Sequence, residues 1–169
     1  MNHLMKIIKT LSEFDVDFII CGGVALVLHG IERLTMDLDI SIDFRKDNVE
    51  KFLKAMKKMG LVPRAPVPAE CLLDPVERER IITEKNALVF TFIDVNNPYK
   101  QVDVFLIKNL SYDLLKNDIE EIEINKYKIK VVSKNMLLKL KKAIYPLRDK
   151  DTFDIQCLEK MAADSNITN

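Results

Sequence analysis

At 169 residues the chain is long enough for one well-buried core and too short for two ordinary domains. Lys plus Arg balances Asp plus Glu at 26 each, so no global field draws the protein to nucleic acid or to an anionic membrane, and any RNA contact has to be local. The longest apolar stretch, residues 18–31, holds three glycines and a histidine and falls short of the roughly 20 residues of a membrane span; with no signal-peptide core near residue 1, a cytoplasmic protein is expected.

Leu4, Ile7, Ile8 and Leu11 recur at helical spacing and predict an amphipathic helix over residues 2–13. Residues 18–21 are apolar and end at Gly22-Gly23, which favours a short buried strand followed by a turn. Without Cβ atoms, these glycines can take φ > 0 and admit a ligand to the backbone, and the first N–H groups of a helix from about Val24 lack intrahelical partners, so an anion sits well there. The helix closes at His29-Gly30, where a histidine favours the dipole and needs no catalytic role. Asp37, Asp39, Ser41 and Asp43 then alternate with Leu38, Ile40 and Ile42, and the two-residue period of a strand sends the two sets to opposite faces. Asp37 and Asp39 thus lie roughly 6 to 7 Å apart along one face. Two carboxylates so placed disfavour each other's charge unless a cation lies between them, and oxygen-only ligands suit Mg²⁺.

Asp47 is placed to cap a helix whose apolar stripe is Val49, Phe52, Leu53 and Met56, with Gly60 as its stop. Four prolines between residues 63 and 75 predict a structured loop with one short helical turn, a natural seat for specificity. Residues 76–85 form a brief helix, and residues 87–107 a β-hairpin around Asn96-Asn97-Pro98 that carries Asp103 between Val102 and Val104. An Asp in so apolar a strand needs a partner or a metal. Residues 121–132 predict a second hairpin turning at Asn125-Lys126. Ser133 caps a helix that stops before Pro146, and a last helix follows with Asp149, Asp151 and Asp154 in its first turns and Phe153, Cys157, Leu158 and Met161 as its buried stripe. Residues 162–169 are expected to fray. Cys21, Cys71 and Cys157 fit neither a disulfide framework nor a zinc site and are expected to be buried thiols.

Gly-Gly, thirteen residues, Asp-Leu-Asp-Ile, and later Val-Asp-Val: this order resembles the nucleotidyltransferase fold of the DNA polymerase β superfamily. The resemblance implies that Gly22 and Gly23 hold the triphosphate of a nucleoside triphosphate, and that Asp37, Asp39 and Asp103 hold two Mg²⁺ ions for in-line nucleotidyl transfer. The segment GGVALVLHGIERLTMDLDI is similar to a bacterial and archaeal branch that includes the nucleotidyltransferases of type IV (AbiEii-like) toxin–antitoxin systems, with Arg33 and Thr35 matching its R-x-T-x-D-x-D signature. A lysine-bearing helix followed by PLRDKDTFDIQCL is similar to the branch's Lys, then Arg-x-x-Asp-x-x-Asp, segment.

The expected fold is therefore α/β (α+β), a mixed sheet flanked by helices. A nucleotidyltransferase core spans residues 1–132, and C-terminal helices 133–169 pack on it within a single domain. The expected function is Mg²⁺-dependent transfer of a nucleotidyl group from an NTP to a hydroxyl of RNA, protein or a small molecule. The alternative is an antitoxin-like nucleotide-binding module acting through a protein partner. The small size and the lack of a second substrate-gripping domain argue for a partner or a homo-oligomer. The chain departs from the larger toxin-like relatives in their long C-terminal extension, so their toxicity and acceptor are not taken as expected here.

Arg33 holds substrate phosphate or neutralises the carboxylate cluster through a salt bridge; the residues leave both open. Thr35 reads as an orienting hydroxyl. Asp43 suits a solvated strand face, and Asp94 a turn, although Asp94 is the substitute ligand if Asp103 fails. Lys139, Lys141, Lys142, Arg148 and Lys150 line a triphosphate or RNA path, or bond Asp151 and Asp154.

Overall fold

The computed structural model describes the backbone of residues 2–167 and the side chains of residues 3–164. In chain order the elements are α1 (Asn2–Glu13), β1 (Phe18–Ile20), α2 (Gly22–Leu28), β2 (Asp37–Ile42), α3 (Lys46–Lys58), β3 (Val62–Pro63), α4 (Pro75–Lys85), β4 (Val89–Asp94), β5 (Asn97–Phe105), α5 (Tyr112–Leu115), β6 (Ile119–Ile124), β7 (Tyr127–Val132), α6 (Lys134–Lys142) and α7 (Asp149–Ile167). The described strands form one mixed sheet in the order β3-β4-β5-β2-β1-β7-β6. β2 runs antiparallel to β1 and parallel to β5, and the two hairpins β4–β5 and β6–β7 complete the sheet on either side. The α/β fold with a mixed sheet flanked by helices is the one expected.

The core follows the alternation. Leu38, Ile40 and Ile42 of β2 and Val102 and Val104 of β5 are fully buried, and α1 covers them with Leu4, Ile7, Ile8 and Leu11 while α3 brings Val49, Phe52 and Met56. Phe52 meets Phe92 of β4 edge-on at 5.4 Å between ring centroids, an arrangement that adds to the area buried. With one face of β2 and β5 committed to this core, the pleat leaves the aspartates on the other.

Several local expectations are corrected. α2 begins at Gly22 rather than Val24, so the glycines are its first turn. Arg45, not Asp47, holds the cap position of α3; Asp47 lies in the first turn, where its charge still favours the dipole. The proline-rich loop contains the anticipated short helical turn, Ala69–Leu73, and also β3, where Pro63 is tolerated because an edge strand has no use for its missing N–H. A short helix, α5, lies between the hairpins, where none was expected. Ser133 caps α6 by accepting from the Met136 N–H at 3.1 Å, as its position suggested.

In α7 the buried face only partly follows the apolar stripe: Leu158 is buried and Cys157 and Met161 pack against the core, but Phe153 turns outward. Phe153 is 48% exposed, while Asp151, Asp154 and Leu158 are buried, because the two carboxylates find cationic partners on the inward side. Residues 162–167 continue this helix rather than fray, consistent with Ala162-Ala163 and the lack of a Gly or Pro stop; Thr168 and Asn169 lie outside the described residues. Cys21 is buried, but Cys71 and Cys157 are only half-buried, and all three thiols are free. Among the described residues, no helix is long and apolar enough to cross a membrane.

Candidate active site

Parallel pairing of β2 with β5 sets Asp39 directly opposite Asp103, and Asp37 opposite Gln101. One carboxylate oxygen from each of Asp37, Asp39 and Asp103 lies within 4.8 Å of the others, a set of hard oxygen donors that suits a divalent cation. Asp103 is held at both oxygens: the Thr91 hydroxyl donates to Oδ1 at 2.6 Å and the Gln101 amide donates to Oδ2 at 2.8 Å. Thr35 Oγ1 donates to Asp37 Oδ1 at 3.3 Å, so it does orient a carboxylate.

The glycine turn abuts this cluster. Gly22 has φ +58°, and a Cβ built on it would lie 1.9 Å from Asp39 Oδ2; one built on Gly23 would lie 2.5 Å from Thr35 Oγ1. The Gly23 N–H also bonds the Asp39 carboxylate. Burial, followed by the charges of Asp37 and Asp103, pushes Asp39 up to about 6, against the opposing pull of the Gly23 N–H and Lys141. A cation between the three carboxylates would relieve the repulsion among them.

Arg33 does not reach the triad. Its Nη1 donates to Asp154 Oδ2 at 2.6 Å, and Lys141 Nζ lies 2.7 Å from the same oxygen and 2.8 Å from Asp151 Oδ1. Arg148 closes the network on Asp151 through Nε at 2.5 Å and Nη2 at 3.1 Å. Three cations thus meet two buried carboxylates, and the salt bridge foreseen for Arg33 is made to α7 instead of to the carboxylate cluster. The network still borders the site, since the Arg33 Cζ is 3.5 Å from where a Gly23 Cβ would stand. The charges of Lys141 and Arg148 in this network reach Asp39.

Other candidates resolve into structural roles. His29 is buried and its Nε2 lies 2.7 Å from the Val132 carbonyl oxygen, tying α2 to β7. Asp43 accepts from the backbone and side chain of Arg45, and Asp94 accepts from the Asn96 N–H and Lys100 at the hairpin turn. Lys142 pairs with Glu159, and Lys150 lines an open cleft of about 310 Å³ shared with Arg33, Thr35, Asp37, Tyr99 and Gln101.

Thr91 and Gln101 were not singled out from the sequence. Gln101 was accessible there, because it stands two residues from Asp103 on the same strand and therefore on its face. Thr91 depends on hairpin register, which pairs it with Asp103.

The family model described as nucleotidyl transferase AbiEii toxin, type IV TA system, matches residues 4–168. A search of the curated proteins found no match. Among solved structures, the lincosamide antibiotic adenylyltransferase LnuA in its lincomycin-bound form is similar in fold, with a TM-score of 0.62 and 21% identity over 94% of this chain and 96% of that one. The matched span takes in the glycine turn, all three aspartates and the α6–α7 ion network, and the chain belongs to the AbiEii nucleotidyltransferase family.

Proposed function

We propose that the protein is a Mg²⁺-dependent nucleotidyltransferase that takes a nucleoside triphosphate as donor and a hydroxyl group as acceptor. The observation that carries this reading is the convergence of Asp37, Asp39 and Asp103 beside Gly22. Mg²⁺, held by these three carboxylates, would supply charge neutralisation for the phosphates and lower the pKa of the acceptor hydroxyl.

The chain's own residues supply position. Gly22 and Gly23 leave room for the triphosphate to approach Asp39, and Arg33 and Thr35 stand on the same side. Thr91 and Gln101 fix the Asp103 carboxylate, which takes the acceptor's proton. The acceptor oxygen then bonds the α-phosphorus, the bond from that phosphorus to its bridging oxygen breaks, and pyrophosphate leaves with the electron pair. The LnuA neighbour is described as a lincosamide antibiotic adenylyltransferase, which supports an acceptor other than a macromolecule. The family's description as part of a type IV toxin–antitoxin system suits a protein partner for the enzyme.

The test is incubation of the protein with each α-labelled nucleoside triphosphate, Mg²⁺ and fractionated cell extract. Label should pass to an acceptor, and Asp39→Asn and Asp103→Asn should each reduce transfer by about a hundredfold or more. Equal transfer by wild type and both variants would remove the triad from the chemistry.

A further inference from the structure

A second groove, of about 300 Å³, runs along the outer edge of β4 beyond the end of β3. Val67, Ile81 and Val89 make its walls apolar, and the charged residues that line it, Arg64 and Lys85, are both cations. Its lining includes Thr91, whose hydroxyl is bonded to Asp103. Arg64 donates to the Gln101 side chain, and Gln101 donates to the other Asp103 oxygen, so the cationic rim is physically linked to the proposed base. The cleft beside Arg33, Thr35, Asp37 and Lys150 also touches Gln101, but it adjoins the glycine turn, where the β4 groove does not.

In-line displacement requires the attacking and leaving oxygens to stand on opposite sides of phosphorus. With the triphosphate on the Gly22 and Asp37 side, the acceptor approaches from Asp103. We infer that the β4 groove seats the acceptor, and that this acceptor is a small hydroxylated molecule with an apolar body and an anionic group. The inference rests on the nucleotidyltransferase reading. Apolar walls bury the body, and the two cations at the rim favour a carboxylate or phosphate and disfavour a polycation.

A matched pair of dyes tests the class of ligand on the whole chain: 1-anilinonaphthalene-8-sulfonate, apolar and anionic, against N-phenyl-1-naphthylamine, which has the same body and no charge. Fluorescence titration should show saturable binding of the sulfonate, about tenfold tighter than the neutral dye. Lys85→Glu, at an exposed position, should abolish that preference, and Arg64→Gln should reduce it. Amide shifts caused by the sulfonate should cluster at residues 64–67, 81–85 and 87–91, and saturating ATP with Mg²⁺ should leave its affinity unchanged. Equal affinity for the two dyes, shifts centred elsewhere, or displacement by ATP would each overturn the assignment.

ATP binding with Mg²⁺, followed separately by calorimetry, keeps the two readings apart. Tight ATP binding with no dye selectivity removes only the acceptor groove. Dye selectivity in a protein that binds no nucleoside triphosphate leaves an anion-selective groove, and removes its role as acceptor site together with the transferase reading.

Discussion

Arg33 and Asp154 stand 121 residues apart in the chain and meet at 2.6 Å, joining the segment that leads into β2 to the buried face of α7. Asp154 shares the same oxygen with Lys141, while its Oδ1 is buried without a partner. The carboxylate is thus the centre of a buried ion network, and removing its charge leaves Arg33 and Lys141 poorly compensated. Asp154→Asn is predicted to lower stability by about 3 kcal/mol, as expected when one member of a buried pair is removed. Because Arg33 borders Gly23, triphosphate binding should weaken as well. Urea unfolding and ATP titration check both, and stability within about 0.5 kcal/mol of wild type would show the network to be energetically idle.

Asp39 gives the metal-free protein a defined pH dependence. Its folded-state value of about 6 stands above the ordinary 3.8, so the folded chain holds this proton more tightly than the unfolded one. The stability it contributes is therefore fully present below about pH 4 and lost as the pH rises to about 6. In EDTA, Asp39→Asn should gain on wild type across that window, by up to about 3 kcal/mol. Asp151 acts elsewhere: although burial pushes its carboxyl up, Arg148 and Lys141 hold it well below the usual range, so its contribution is lost only as the pH falls below its ordinary value of 3.8. A wild-type-minus-variant difference that stays flat between about pH 4 and pH 7 would contradict the burial and repulsion assigned to Asp39.

The two glycines with positive φ at the ends of α2 should respond differently to alanine. At Gly30, with φ +94° and nothing within 4 Å of a built Cβ, only backbone strain is incurred, roughly 1–2 kcal/mol. Gly22→Ala adds a collision with the Asp39 carboxylate, so it should cost at least about 1 kcal/mol more and displace a proposed metal ligand. Parallel denaturant melts of the two variants, with ATP binding measured on each, decide the matter; equal losses would mean that Asp39 moves aside freely.

Thr91→Val and Gln101→Leu each take one hydrogen bond from Asp103 without touching the other carboxylates. Outer donors of this kind orient metal ligands, and losing one is expected to weaken Mg²⁺ binding about 10- to 100-fold. Calorimetric titration of Mg²⁺ into each variant gives the number directly. Affinities equal to wild type would place the cation away from Asp103.

The aspartate pair of β2 and the glycines of α2 could be read before any coordinates, because strand alternation and the steric freedom of glycine are properties of a few consecutive residues. The same local logic found the Ser133 cap and the β4–β5 hairpin. It went astray in α7, where hydrophobicity named Phe153 as inward and the structure turns Asp151 and Asp154 inward instead. No period along a helix says which distant cations will meet its carboxylates. That Asp103 lies opposite Asp39, that Thr91 and Gln101 grip it, and that Arg33 is taken by α7 rather than by the triad all depend on pairing between segments far apart in the chain. Such pairings are set when the sheet closes over its common core and the charged side chains left inside must find one another, since a buried charge without a partner is too costly to keep.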